Sequence, residues 1–519
     1  MPDPLGVRTI PGLVQAAAAR WPDLEAVVDG EVRLSFAALA EAVEDFAAAL
    51  MANGIAAGDR VAIWAPNSWR WVVAALGTVT AGAVMVPLNT RYRGAEAGDI
   101  LRRTSTKVLI TDDAFRDSHY VSMLASEDLP ALTTVVSVTP AAGASDFDAF
   151  AEDGAVVSRV EVRGRAAAVG PSDLSDIVFT SGTTGLPRGA MLTHEQTTRL
   201  YAAWGELAGL RAGDRYLIVN PFFHTFGYKA GIIACLLRGA TIVPQAVFDV
   251  DSTLEQIGRE RITVLPGPPT LFLSILDHPW RSRYDLSSWR VAVTGAATVP
   301  VVMIERLHAE LALETVLTAY GLTESCGMAT MCRPGDDPAT VAHTCGRAVD
   351  DVEVRVADQA GATLPPGEPG EVLIRGYNTM RGYLDDAAAT TDAIDPDGWL
   401  HSGDIGVMDE RGYLRITDRL KDMFIVGGFN AYPTEIEQVL ARHPAVAEAA
   451  VVGVPDDRMG EVGRAFVVRH RGAVVDDASV IAYCREHLAN FKVPRSVVFV
   501  DSLPRNASGK VTKNALRSS

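Results

Sequence analysis

The first 170 residues alternate between helical and strand patterns. The stretch 36–53 is rich in alanine and repeats its apolar residues with a helical period, whereas Arg60–Trp64 and Val108–Thr111 are short apolar runs typical of strands. Residues 71–90 carry no charge, but glycines, threonines and a proline interrupt them, which predicts a buried helix followed by a strand at 84–86. Strands that alternate with helices predict parallel sheets of the α/β class.

The alternation resumes after a small, acidic stretch at 141–153, which we interpret as a surface connection. Further strands are predicted at 215–219, 240–243, 262–265 and 290–293. From about Thr344 the pattern changes to short strands separated by Gly, Pro and Asp turns, at 352–356, 371–375 and 412–416, and this change predicts an antiparallel β subdomain. After Asp422 the α/β alternation returns for about 100 residues.

These patterns predict a large N-terminal domain of stacked α/β sheets and a smaller, mobile α/β domain at the C-terminus. The predicted boundaries are 1–418 for the large domain, 343–418 for its β subdomain, 419–421 for a hinge and 422–519 for the small domain. A chain of 519 residues exceeds the size of a single core, so a division of this kind is expected.

Composition excludes several classes of partner. A net charge of −17 argues against nucleic acid or an anionic membrane surface. Five cysteines without a C-x-x-C pair argue against a disulfide framework or a zinc site and indicate a reducing cytoplasm. The N-terminus has no signal-peptide pattern, and we predict no integral membrane segment.

Hydroxyl and glycine residues follow a predicted strand at 177–179. The run is Thr180-Ser181-Gly182-Thr183-Thr184-Gly185, and the cation Arg188 comes three residues later. Glycine lets backbone N–H groups approach a phosphate closely, and hydroxyls add uncharged donors. The run therefore predicts a polyphosphate-binding loop, although it lacks the Gly-Lys-Ser/Thr of a Walker A motif.

Three other segments carry candidate chemistry. Tyr320-Gly321-Leu322-Thr323-Glu324 follows a predicted strand and offers a stacking face for a purine, a phosphate donor and a hard oxygen ligand for Mg²⁺. Asp404 is an acidic residue beside a glycine, suited to bind a ribose diol. Lys510 lies on a glycine-preceded turn near the C-terminus.

In their order and spacing, these segments resemble the adenylate-forming superfamily of acyl-CoA synthetases, luciferases and adenylation domains. The resemblance covers essentially the whole chain and rests on five motifs, at 180–189, 320–324, 402–404, 418–430 and 504–510. It implies a set of nucleotide-binding residues: Thr180, Ser181, Gly182, Thr183, Thr184, Gly185, Arg188, Gly295, Ala296, Ala297, Thr318, Ala319, Tyr320, Asp404 and Arg419.

The resemblance also implies catalytic roles. Thr323 contacts the α-phosphate and Glu324 the Mg²⁺, while Lys510 bridges the reacting carboxylate and the phosphate. Lys421 is the position about which the small domain rotates, and Gly427 with Gly428 lines the pantetheine tunnel for coenzyme A. The family usually has lysine where this chain has Arg188, whose forked guanidinium differs from a point charge.

The acyl-pocket motif at 221–228 sets the class of acid. The resemblance makes Phe223, His224, Phe226, Tyr228 and Gly321 substrate residues, with His224 also catalytic, at the gate between acyl pocket and thiol tunnel. Residues 222–228 contain no carboxylate to pair with an ammonium group, which disfavours an amino acid substrate.

The segments 220–235, 262–269, 292–300 and 489–495 are similar to the actinobacterial CoA ligases that activate the methyl-hexahydroindanedione propanoate left from steroid rings C and D. The resemblance thus implies an acyl-CoA ligase that uses ATP, Mg²⁺ and coenzyme A and forms an acyl-adenylate. The alternatives are a medium-chain or aryl-carboxylate CoA ligase, an acyl-AMP ligase that serves a carrier protein, and an inactive adenylate-binding protein.

Overall fold

The computed structural model describes residues 5–180, 187–295, 299, 301–419, 422–426, 429–456, 459–488, 490–505 and 511–517. Contacts divide the chain into two compact units, Met1–Glu353 with Ile374–Leu400 and Val354–Leu373 with His401–Ser519. No helix within the described ranges is long and apolar enough to cross a membrane.

A seven-stranded sheet in the first unit carries the predicted phosphate loop. Its strands, in spatial order, are Ser145–Asp146, Thr134–Ser137, Val108–Thr111, Arg60–Trp64, Val84–Pro87, Leu174–Thr180 and Arg188–Thr193. The first six run parallel, and the last is antiparallel to its neighbour. The central strands are buried along their whole length, as expected where helices cover both faces of a parallel sheet.

A nine-stranded sheet in the same unit carries the predicted adenine-binding residues. Its strands, in spatial order, are Arg347–Ala348, Thr330–Met331, Thr315–Tyr320, Val291–Gly295, Val264–Gly267, Arg215–Ile218, Thr241–Pro244, Glu25–Asp29 and Val32–Ser35. The central strands are parallel, and antiparallel pairs close both edges. The predicted strands therefore exist, with ends that shift by one or two residues.

Helices connect these strands, and most begin at a capping side chain. Ser35, for example, accepts a hydrogen bond from the amide of Ala38 at 3.1 Å and so satisfies an unpaired donor of the first turn. The α-helices of this unit are Ile10–Arg20, Phe36–Ala52, Trp69–Thr80, Gly94–Arg103, Tyr120–Met123, Phe147–Glu152, Arg159–Ala167, His194–Leu207, Thr225–Gly227, Ala234–Arg238, Val250–Glu260, Pro269–Leu276, Val301–Leu311, Pro338–His343 and Ala387–Ala393.

The stretch 141–153 is not the plain surface connection that its composition predicts. It forms the strand Ser145–Asp146 and the helix Phe147–Glu152, which the Asp146 carboxylate caps. The rings of Phe147 and Phe150 are buried against Phe46, with centroids 5.1 and 5.5 Å away. Two phenylalanines three residues apart share one helix face, and the small and acidic residues around them concealed that pattern.

The second unit contains most of a four-stranded sheet and a separate five-stranded sheet. The former comprises Val352–Ala357, Pro369–Gly376, Leu400–Met408 and Leu414–Arg419, of which the last two are antiparallel. The latter has the order Phe429–Ala431, Phe424–Val426, Gly460–Arg469 and Val446–Asp456, with Ser496–Phe499 parallel to Gly460–Arg469. Helices Pro433–Leu440, Asp477–His487 and Lys513–Arg517 accompany it. The predicted α/β class with a small β subdomain is confirmed.

Candidate active site

Glu324 is the centre of a hydrogen-bonded group at the end of the strand Thr315–Tyr320. It lies in the short 3₁₀ turn Thr323–Ser325 and is 9 % exposed. Its Oε1 accepts hydrogen bonds from the Thr180 hydroxyl at 3.2 Å and from the Tyr383 hydroxyl at 2.9 Å. Its carbonyl oxygen accepts from the amide of Met380 at 2.8 Å. Both side-chain bonds go to one carboxylate oxygen, Oε1, and neither of them occupies Oε2.

Tyr383 joins this candidate site through its bond to Glu324, and the sequence analysis did not predict it. Burial raises the pKa of its hydroxyl, and the neighbouring Glu324 carboxylate raises it further, so the phenol stays a neutral donor. It follows Gly382, whose φ of +136° lies in the region that favours glycine. The only local signal is this Gly-Tyr pair in a loop, because its partner lies 59 residues away in the chain.

Thr180 and Arg188 lie at the facing ends of two antiparallel strands. The pairing of Leu174–Thr180 with Arg188–Thr193 places them opposite each other, so they flank the predicted phosphate loop. The Arg188 Nε atom is 3.8 Å from an Asp386 carboxylate oxygen, and its guanidinium carbon is 5.5 Å from the centroid of the Tyr383 ring. The loop residues Ser181, Gly182, Thr183, Thr184 and Gly185 lie outside the described residues.

The predicted adenine-binding residues lie on adjacent parallel strands. Gly295 pairs with Ala319, and a Cβ on Gly295 would lie 2.8 Å from the Ala319 carbonyl oxygen, so only glycine allows this approach. Thr318 is 2 % exposed, and its hydroxyl donates to the carbonyl of Thr344 at 2.8 Å. Its side chain therefore stabilises the fold by joining two segments of the chain. Tyr320 is half-buried at the strand end, whereas Ala296 and Ala297 lie outside the described residues.

The turn after Tyr320 is compact. A Cβ on Gly321 would lie 2.5 Å from the Cα of Met328, so this predicted substrate residue has to be glycine for the backbone to pass. Thr323 opens the 3₁₀ turn and is 8 % exposed. The turn thus presents Thr323 and Glu324 beside each other, as the motif predicts.

Some side chains of the acyl-pocket motif are half-buried, and others are fully buried. His224, Phe223 and Phe226 are half-buried, and the His224 Nδ1 accepts from the amide of Phe226 at 3.2 Å. This bond places the proton of the neutral imidazole on Nε2. Tyr228 is instead 1 % exposed and packs 5.6 Å from the ring of Trp71. Among the described residues, its hydroxyl has no hydrogen-bond partner.

In the second unit, Asp404 and Arg419 are directly opposite each other on antiparallel strands. Asp404 is 7 % exposed, and its amide donates to the Ser402 hydroxyl at 3.1 Å. The Asp418 carboxylate accepts from the amide of Thr434 at 2.9 Å and so lies at the start of the helix Pro433–Leu440. Lys421, Gly427, Gly428 and Lys510 lie outside the described residues.

Comparison with known proteins identifies the family. The family model of the AMP-binding enzyme matches residues 14–384, and that of the AMP-binding enzyme C-terminal domain matches residues 435–510. The chain belongs to the AMP-binding enzyme family. An ATP-bound MatB from Rhodopseudomonas palustris has a similar structure, with a TM-score of 0.88 and 32 % identity over 98 % of both chains.

Two relatives of this AMP-binding enzyme are named 3-[(3aS,4S,7aS)-7a-methyl-1,5-dioxo-octahydro-1H-inden-4-yl]propanoyl:CoA ligase. The one from Rhodococcus jostii is 54 % identical over 98 % of both chains. The one from Mycobacterium tuberculosis is 56 % identical over 98 % of this chain and 99 % of its own. The chain is an AMP-forming acyl-CoA ligase, as the motifs predict.

Proposed function

We propose that this chain converts 3-(7a-methyl-1,5-dioxo-octahydro-inden-4-yl)propanoate to its CoA thioester, with ATP as the co-substrate and an acyl-adenylate as the intermediate. The observation that carries the proposal is the identity of 54 % and 56 % with two ligases named for this acyl group. A steroid-derived acid of this kind contains a fused bicycle, two ketones and one propanoate. All five cysteines are free thiols, and we place the enzyme in the cytoplasm.

The acyl-pocket motif suits a bulky neutral acid. Phe223 and Phe226 offer aromatic surface beside His224, and residues 222–228 contain no carboxylate. A ring ketone would accept from the half-buried His224 imidazole, whereas the Tyr228 hydroxyl is almost fully buried and inaccessible to a ligand. A plain alkyl chain offers no such acceptor, so hydrogen bonding would favour the diketone.

The group around Glu324 fits a magnesium ion. Mg²⁺ in nucleotide sites takes one or two carboxylates together with phosphate oxygens and water, and Glu324 offers its Oε2. No cluster of three or more metal-ligating residues occurs in the described part of the chain, which agrees with a metal held largely by substrate. Bound there, Mg²⁺ would neutralise part of the phosphate charge.

Different residues would serve different parts of the adenylation step. Thr180 and Tyr383 hold the Glu324 carboxylate in place, and Arg188 supplies positive charge at the phosphate loop. We assign Lys510 to the adenylation step, where it brings positive charge to the carboxylate and the α-phosphate as two anions meet. The carboxylate attacks the α-phosphate, pyrophosphate leaves, and the acyl-adenylate forms.

We assign the remaining predicted residues to binding and to the second step. Asp404 and Arg419 bind the ribose, and Gly427 with Gly428 lines the path of the pantetheine arm. The CoA thiolate attacks the acyl carbon and AMP leaves. Lys421, in the hinge 419–421, is the position at which the chain would rotate between the two steps.

A panel of acids tests the proposal. The kcat/KM values of the indanedione propanoate, octanoate and a cinnamate are measured with ATP, Mg²⁺ and CoA, and products are identified by mass spectrometry. We expect AMP and the CoA thioester, with a preference for the bicyclic acid of at least about tenfold. Equal or higher efficiency with octanoate or the cinnamate would support the medium-chain or aryl alternative instead. Release of acyl-AMP without a CoA thioester would indicate a ligase that serves a carrier protein.

A further inference from the structure

A completely buried lysine contacts several segments that carry candidate site residues. Lys229 has 0 % side-chain exposure, and its Nζ is 2.9 Å from Oδ1 of Asp176, which is also 0 % exposed. The two side chains therefore form a buried ion pair. The ammonium also donates to the Thr197 hydroxyl at 3.0 Å and to the Cys326 sulfur at 3.5 Å.

Each partner of Lys229 belongs to a different segment of the site. Asp176 lies in the strand that ends at Thr180, four residues before the phosphate loop begins. Cys326 follows the turn that carries Glu324. Thr197 lies in the helix that follows the strand beginning at Arg188. Lys229 itself lies five residues after His224 of the acyl-pocket motif.

The helix around Lys229 has an unusual geometry. Residues Tyr228–Ile233 form a π-helix between the α-helical turns Thr225–Gly227 and Ala234–Arg238. A π segment adds a residue to a helical turn and occurs mostly at functional sites. Here it accompanies Lys229, which joins the acyl-pocket segment to the strand and turn of the nucleotide site.

Stability alone does not explain a charged pair in this place. Two buried charges lose their hydration, and an apolar pair of similar volume is often as stable or more stable. Burial lowers the pKa of Lys229, but the Asp176 carboxylate and Cys326 together outweigh that effect and the net shift is upward, so the ammonium keeps its charge. The second oxygen of Asp176 accepts from the Ser175 hydroxyl at 2.6 Å, which fixes the carboxylate further.

We propose that Lys229 is a positioning residue, which sets the acyl-pocket segment at a defined distance from the phosphate-loop strand and the Glu324 turn. In the proposed function the first segment binds the acid, the loop after the strand binds the phosphates of ATP, and the turn carries Thr323, which contacts the α-phosphate. The approach of the acid to the α-phosphate therefore depends on the contacts of one ammonium group. The inference depends on the AMP-forming activity. It depends on the proposed function in one respect, the place where the acid binds.

The decisive variant replaces both charges with neutral side chains of similar shape, Lys229→Met together with Asp176→Asn. The single Lys229→Met change would leave a buried carboxylate unpaired and destabilise the fold, which the double change avoids. A matched control neutralises another buried ion pair, Arg290→Met together with Asp214→Asn, whose side chains are 11 % and 3 % exposed. The side chains of Arg290 and Asp214 bond to each other and to Gly209, Arg211 and Thr263, which are not candidate site residues.

The measurements are the thermal midpoint, and kcat and KM for ATP and for whichever acid the wild type uses best. We expect the Lys229–Asp176 double variant to fold and to lose kcat by roughly 10- to 100-fold, as small displacements of reacting groups do. The control pair should keep its kcat per folded molecule, whatever it loses in thermal midpoint. A double variant with wild-type kcat and KM overturns the proposal, as does an equal loss of kcat in the control.

A second pair of variants covers the case in which the double variant does not fold. Thr197→Val removes one hydrogen bond to the Lys229 ammonium, and Thr198→Val is its neighbour on the same helix, with a hydroxyl bonded at 3.4 Å to the Glu195 carbonyl. We expect Thr197→Val to lower kcat by about threefold or more, as loss of a hydrogen bond to a charged group does, and Thr198→Val to leave it unchanged. Equal kcat in both variants contradicts the proposal. The acid that the wild type converts best is determined in a separate measurement. An error in the proposed substrate therefore does not affect this comparison.

Discussion

At the scale of single residues, the Tyr383 hydroxyl controls how the Glu324 carboxylate is held. Tyr383→Phe removes a hydrogen bond to a buried charged group, a contact worth about 1.5–3 kcal/mol. We therefore expect kcat/KM for ATP to fall by roughly 10-fold or more, with a higher Mg²⁺ requirement. Tyr284→Phe is the control, since that hydroxyl bonds to Asp251 at the surface, 3.1 Å away. An unchanged Mg²⁺ dependence in Tyr383→Phe would count against a metal at Glu324.

At the scale of elements, the turn that carries Glu324 requires glycine at position 327. Gly327 has a φ of +101°, and a Cβ there would overlap the Tyr201 hydroxyl and lie 2.9 Å from the Thr225 side chain. Gly327→Ala should lower the free energy of unfolding by more than the roughly 1–3 kcal/mol of backbone strain and should also reduce kcat, because the turn has to shift. Gly335→Ala is the matched control, with a φ of +90° and open space around it. Equal effects of the two changes on stability and kcat would contradict the crowding argument.

At the scale of the whole molecule, one buried histidine makes stability depend on pH. Burial lowers the pKa of His194 to about 4, and its Nδ1 accepts from the amide of Ile10 at 3.3 Å. Between pH 6.5 and 4 the unfolded chain binds a proton that the folded chain does not, so stability falls as pH falls through this range. The shift corresponds to about 3 kcal/mol.

Urea unfolding between pH 4.5 and 7.5 checks this dependence. We expect His194→Gln to flatten the acid side of the stability profile, whereas the control His119→Gln, at a side chain that is 67 % exposed, should leave the profile as it is. An unaltered slope in His194→Gln would show that other groups cause the acid loss.

Also at this scale, Lys421 and Lys510 should affect different half-reactions. Lys421→Pro fixes a backbone angle at the predicted hinge, so it should leave one half-reaction usable and slow the overall reaction. Lys510→Ala should slow adenylation by roughly 100- to 1000-fold, the effect of one deleted transition-state donor, and should spare thioester formation from supplied acyl-AMP. The rate of adenylation is measured by pyrophosphate exchange, and the rate of the second step is measured by consumption of the CoA thiol. Equal slowing of both half-reactions in Lys510→Ala would contradict its assignment.

Local patterns predict most of the elements and motifs of this chain, because strand and helix periods depend on neighbouring residues. The strands Arg60–Trp64 and Val108–Thr111 have the predicted bounds, whereas the helix Phe147–Glu152 was missed. Glu324 also lies just past the end of a parallel strand, as its place after a predicted strand indicates. Tyr383 was missed because no local pattern marks a loop tyrosine whose partner is distant in the chain.

The sequence by itself determined the fold class, the family and the chemistry of an AMP-forming acyl-CoA ligase, since ordered motifs and apolar periods are properties of the chain. Only the tertiary structure decided which side chains support those motifs. Lys229 and Asp176 are 53 residues apart and Tyr383 is 59 residues from Glu324, so these pairs exist only after the strands and turns have packed. The burial of Tyr228 was decided in the same way, because a side chain's exposure depends on every element that covers it.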